Sequence, residues 1–101
     1  MYGTIARFTI KPGQEQALRD LTRDHVGTID GIAFEHVFRT DDDPNVLYVV
    51  VGFESKEAYR RNAESPEQHQ RYLQYRALLQ ADPEWHDGEI VQSRTSAMAS
   101  M

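Results

Sequence analysis

The sequence contains no cysteine. That excludes disulfide stapling, thiolate nucleophiles and Cys-ligated zinc, and it suits a cytoplasmic chain. Long apolar runs are missing as well. The longest, Val46 to Val51, is strand-sized, far short of the ~20 residues that cross a bilayer as a helix. The first residues carry neither a basic n-region nor an apolar h-region, so no export signal is expected. Positive charge is scarce: eleven Lys and Arg are scattered among sixteen Asp and Glu, for a net charge of −5. Nucleic acid and anionic membranes are held by clustered positive charge, so neither is an expected partner. There is no phosphate-cradling glycine loop, no nucleophile elbow and no zinc-helix histidine spacing. The four histidines, at positions 25, 36, 69 and 86, are far apart in the chain. No metal or cofactor site is expected. Asp41-Asp42-Asp43 is read as a solvated turn, since Pro44 interrupts the run and no further carboxylates stand at calcium-loop spacing.

What is present describes one globular domain over residues 1–95, with a flexible tail at 96–101. Tyr2 to Lys11 is rich in β-branched and aromatic residues and stops at the Pro12-Gly13 turn. Ala17, Leu18, Leu21 and His25 then share one helical face, with Gly27 and Gly31 bracketing the stop. From Ile32 to Thr40 the residues alternate, Ile32, Phe34, His36 and Phe38 against Ala33, Glu35, Val37 and Arg39, which predicts a strand. The Asp-rich turn leads to Val46–Phe53, apolar on both faces and therefore a central strand. Ser55 and Ser65 are placed to cap two successive helical segments, the second with Pro66 in its first turn and Gln68 at the capping-box position. Asp82-Pro83 ends that helix, Asp87-Gly88 reads as a turn following Trp85 and His86, and Glu89 to Thr95 as a short last strand.

The order β-α-β-β-α-β predicts an α+β, ferredoxin-like antiparallel sheet with its helices on one face. Helices on one side leave the other side bare, while Val46–Phe53 is apolar on both and Phe34 and Phe38 are unsuited to water. A monomer tolerates an apolar patch of roughly 300–600 Å². A homodimer packed sheet face to sheet face is the expected solution.

Several polar aromatics and histidines fall in elements expected to border the space between sheet and helices. His36, mid-strand beside Phe34, reads either as a packed or interface histidine or as a base tuned by burial. Tyr48, Tyr59, Tyr72 and Tyr75 read either as core or as phenols around a cavity suited to a flat aromatic ligand. Arg7 interrupts an apolar strand and is expected to snorkel to the sheet edge.

The stretch FESKEAYRRNAESPEQHQRYLQYRALL, with the later DPEWHDGEI and the opening ARFTIKPGQEQALRDL, resembles the antibiotic biosynthesis monooxygenase family. The resemblance spans residues 2–93 through diffuse patterning and no single catalytic signature. It implies a dimeric α+β barrel. It further implies, for some members, oxidation of quinols, anthrones and related polyketide aromatics, often without metal or flavin. On that resemblance His36, Asn62 and Tyr72 are the catalytic candidates, with Phe34, Tyr48 and Tyr59 as substrate-pocket residues. The chain departs from quinol-oxidising members in having Val51 where many carry a Glu, and Asn62 where a His is frequent. The Asn, Trp and His of the haem-degrading branch fall on Ala6, Asn62 and Tyr72, so haem degradation is not expected. Two functions stay open: a cofactor-independent monooxygenase or oxidase of a small aromatic, and a non-catalytic dimeric module that binds a small molecule. Isomerisation or cyclisation of a polyketide-like intermediate is a third.

Overall fold

Alternation in Tyr2–Thr9 (β1) sends Thr4, Ala6 and Phe8 to one face, where all three are buried, and Ile5 and Arg7 to the other. In the computed structural model, which describes residues 1–96, β1 pairs antiparallel with Val46–Phe53 (β3). Tyr2 stands opposite Phe53 at one end and Thr9 opposite Val46 at the other. Ile32–Arg39 (β2) lies on the free edge of β3 and Glu84–Glu89 (β4) on the free edge of β1, giving the order β2-β3-β1-β4. The fold is the expected ferredoxin-like α+β arrangement.

Three helices cover one face. Glu15–Thr22 (α1) buries Leu18. Lys56–Ala63 (α2) starts where Ser55 accepts a hydrogen bond from the Ala58 N–H at 3.1 Å. Pro66–Leu78 (α3) starts where Ser65 accepts from the Gln68 N–H at 3.1 Å, with Pro66 in the turn where its missing N–H costs nothing. The Gln68 side chain does not close a capping box; its Oε1 accepts from Asn62 and Arg71 instead. The core lies between these layers, with Ala6, Phe8, Leu47 and Val49 from the sheet meeting Leu18, Tyr75 and Leu79 from the helical side. Gly31 closes the turn into β2 with φ +84°, a conformation that favours glycine. A Cβ there would also come within 2.6 Å of the Ala58 methyl.

Three expectations need correction. The last strand is Glu84–Glu89, so Trp85, His86, Asp87 and Gly88 lie within it and not in a turn before it. Pairing with β1 decides this: Glu84 stands opposite Arg7, Asp87 opposite Thr4 and Gly88 opposite Gly3. An edge strand exposed along its length needs no apolar alternation, and its Asp-Gly pair imitates a turn. Helix α1 ends at Thr22, and His25 belongs to the turn beyond it, its N–H bonded to the Thr22 carbonyl at 3.1 Å. Lastly, the β2 register shifts between Ile32 and Phe34. This bulge puts Ile32 on the helix-covered face together with Glu35 and Val37, while Phe34, His36 and Phe38 take the outer face. Residues 91–96 form no regular element; the rest of the expected tail, 97–101, lies outside the described residues. Among the described residues no helix is long and apolar enough to cross a membrane.

Candidate functional site

Sheet register lays out the floor of a cavity. Glu35 of β2 stands opposite Val51 of β3, Val51 opposite Thr4 of β1, and Thr4 opposite Asp87 of β4. These four residues form one row across the covered face, about 14 Å from end to end at the usual strand spacing. A carboxylate closes each end and the middle is small and uncharged. Helices α2 and α3 and the turn after α1 roof the row, leaving a cavity of about 420 Å³. That size lies in the range of small-molecule sites. Phe8, Ile32, Val49 and Phe53 complete an apolar floor, while Asn62, Gln68, His69 and Tyr72 face the space from the helices.

At the β2 end, Glu35 Oε2 lies 3.1 Å from His25 Nδ1, and the Tyr75 hydroxyl lies 2.6 Å from His25 Nε2. The three come from a strand, a turn and a helix, and all three are nearly closed to solvent: the Glu35 side chain is 8% exposed and that of His25 11%. Burial pushes the Tyr75 phenol above its ordinary pKa, and the Glu35 charge pushes the same way against Arg71. Tyr75 is therefore a firm hydroxyl donor. Its ring also packs against Phe8, with centroids 6.0 Å apart.

At the β4 end, burial first and the neighbouring Asp87 carboxylate second raise the Tyr59 pKa in the same direction. Edge-on contacts with Tyr2 at 5.1 Å and Phe53 at 5.5 Å fix the Tyr59 ring. Between the two ends, Asn62 Oδ1 accepts from Arg71 Nη2 at 2.7 Å and Asn62 Nδ2 donates to Gln68 Oε1 at 3.2 Å. Arg71 Nε also donates to Gln68 Oε1 at 3.0 Å, which joins α2 to α3 through a fixed amide pair. Among the described residues no group of three or more His, Asp or Glu stands close enough to hold a metal ion.

The family model for antibiotic biosynthesis monooxygenase matches residues 1–75. The chain belongs to this family. Solved structures of similar fold include a candidate antibiotic biosynthesis monooxygenase from Chloroflexus aurantiacus. It is 23% identical over 93% of this chain and 96% of that one, with a TM-score of 0.75. A mutant of SnoaB, a cofactor-independent oxygenase from Streptomyces nogalater, is 18% identical over 91% and 94%, with a TM-score of 0.76. A candidate family protein from Deinococcus radiodurans is 14% identical over 95% and 98%, with a TM-score of 0.77. At these identities the likeness is one of fold. None of the curated proteins matches the sequence.

In this family member the residues singled out from sequence divide by face. Asn62, Tyr72 and Tyr59 border the cavity. His36, Tyr48 and Phe34 do not: they occupy the outer face, where His36 stands opposite Val50, Phe38 opposite Tyr48, and Phe34 opposite Gly52. The Phe34 ring covers Gly52, leaving no room for a Cβ there. The expectation that these three line the cavity is corrected by one step of strand phase, which exchanges the faces of a whole strand. Arg7 does reach the sheet edge, pairing with Glu84 at 3.2 Å. Sequence reasoning missed the Glu35, His25 and Tyr75 cluster. Glu35 passed as the polar side of a strand and His25 as the end of a helical face. The available signal was Glu35 alternating with Val37, a carboxylate in phase with an apolar residue.

Proposed function

We propose that this protein oxidises a small phenolic or quinol-like aromatic with dioxygen, without a metal or organic cofactor, in the cavity between sheet and helices. The observation that carries the reading is the row Glu35–Val51–Thr4–Asp87. It forms an apolar-centred slot with ionisable groups and phenols at both ends, shaped for a flat ring system bearing oxygen at its periphery. Once deprotonated, an electron-rich aromatic transfers an electron to dioxygen itself, so the protein has only to bind it, accept its proton and keep out bulk water. For an anthrone, addition of O2 at the activated methylene carbon followed by loss of water leaves the quinone. Asn62 and Tyr72 are the residues we assign to substrate contact from the helices, with Tyr59 at the β4 end. The family membership supports the reaction class, and the lack of cysteine suits a cytoplasmic setting.

The same reading includes a homodimer. The outer face exposes Phe38 at 55% and Ile5 at 48%, in line with Phe34, Tyr48 and Val50. A second copy packed on this face would bury them.

Incubation of an anthrone with the protein under heavy-oxygen gas tests the chemistry. One labelled oxygen atom in the quinone is the expected result. A product of unchanged mass would instead indicate isomerisation or cyclisation, and bound but unaltered anthrone would indicate a binding module.

A further inference from the structure

The cluster at the β2 end of the cavity has no assigned task, and it has the parts of a proton relay. Glu35 faces His25 Nδ1 at 3.1 Å, and the Tyr75 hydroxyl is 2.6 Å from Nε2 and 3.3 Å from Nδ1. With its proton on Nδ1 a neutral imidazole donates to the carboxylate and leaves Nε2 free to take a proton. Nε2 is the ring nitrogen nearer the phenol oxygen, which stands beside the ring and off the lone-pair axis. All three side chains border the cavity. Nothing about the fold requires a buried carboxylate and a buried histidine here. Replacing an inward pair of this kind by apolar residues is often neutral or stabilising, so its presence beside a ligand-sized space points to use.

We propose that Tyr75, His25 and Glu35 are the proton-accepting end of the site, receiving the hydroxyl proton of a bound phenol or enol. The assignment rests on the function proposed above and names the acceptor that function requires. The substrate O–H breaks as its proton joins the Tyr75 oxygen, and the original Tyr75 O–H breaks as its proton joins His25 Nε2. The imidazolium so formed is held by Glu35 through Nδ1–H. No electron moves in this step, and the result is a substrate anion, the species that reacts with dioxygen. Because burial and the Glu35 charge keep the Tyr75 phenol protonated, Tyr75 passes protons on and does not store a vacancy. His25 stores the proton, and Glu35 positions and stabilises it.

The surrounding charges are consistent with this division. From α3, Arg71 is the cation that acts on Tyr75, and it is occupied by Asn62 and Gln68. His69 and Tyr72 of the same helix border the cavity, and Tyr59 and Asp87 stand at the far end of the row. Glu35 is the carboxylate that β2 brings to the imidazole.

Para-nitrophenol, whose anion is coloured, reads out the step without any oxidation. Bound to the wild-type protein, it should ionise at a pH about one unit or more below that of the free phenol, the size of shift an adjacent opposite charge produces. Tyr75→Phe removes a single oxygen and should restore the free value or exceed it. His25→Gln should do the same, and Glu35→Gln should recover at least half of the shift. The Tyr75→Phe and Glu35→Gln variants keep the packing, so the test stands if His25→Gln does not fold. Binding with an unshifted ionisation, or a shift that survives in Tyr75→Phe and Glu35→Gln, overturns the relay and leaves the oxidase reading standing. Failure of para-nitrophenol and of hydroquinones and anthrones alike to bind overturns that reading and the relay with it.

Discussion

Val51→Trp should abolish turnover while leaving the fold intact. Val51 sits at the centre of the row that floors the cavity, flanked by Glu35 and Thr4, and its side chain borders open space. An indole at this position projects into the slot that the substrate ring must occupy. Val51 also packs against the core at its base, so the larger side chain costs about 1–3 kcal/mol of overpacking there while its outer ring enters the open slot. Displacing a substrate by even an ångström from its reacting groups costs on the order of 100-fold. A filled slot should therefore lower kcat/KM by at least that factor. Circular dichroism should stay close to wild type, with the thermal midpoint lowered by about 4–8 °C for each kcal/mol of that overpacking cost. Steady-state oxygen consumption by the two proteins checks the prediction, with ligand titration confirming that the loss lies in binding.

The second large effect concerns the outer face. Phe38→Glu is expected to convert a dimer into a monomer. Phe38 is more than half exposed in the single chain and stands opposite Tyr48, in an apolar strip that continues through Val50 to Ile5. In a two-fold interface every substitution occurs twice, so two carboxylates would be brought into an otherwise apolar contact. Unpaired or like charges so placed cost several kcal/mol, and a loss of about 3 kcal/mol already raises the dimer Kd by on the order of 100-fold. Sedimentation velocity at micromolar concentration distinguishes the outcomes. A wild-type protein that sediments as a monomer would remove the dimer from the account.

The order of the first three strands and of the helices along the chain, and the two serine caps, were legible from residue type, because each follows from local rules. Ser55 and Ser65 cap as their positions suggest, and Val46–Phe53 reads as an internal strand because it is one. The site was less legible because it depends on phase. In β2 both faces carry bulky residues, with Phe34 and Phe38 on one side and Val37 on the other, so composition alone does not say which side meets the helices. The bulge after Ile32 then breaks the alternation that would have been used to decide. Strand β4 hid for a different reason. Its pairing partner β1 supplies the order, and its own exposed residues carry no apolar signal. Glu35, His25 and Tyr75 are 50 residues apart at the extremes, and no local rule brings them together. Tyr59 and Tyr72 were legible as phenols on the helices and Asn62 through the likeness of the α2–α3 segment to the family, and all three border the cavity.

On this reading the chain's own side chains suffice to couple a bound aromatic to dioxygen. Oxygen uptake by purified protein, stripped of metal and flavin and supplied with a series of hydroquinones and anthrones, tests it most directly. Uptake above the protein-free rate that survives chelation and disappears in Val51→Trp is the expected result. A rate no higher than the protein-free control for every substrate, or uptake unchanged in Val51→Trp, would contradict it.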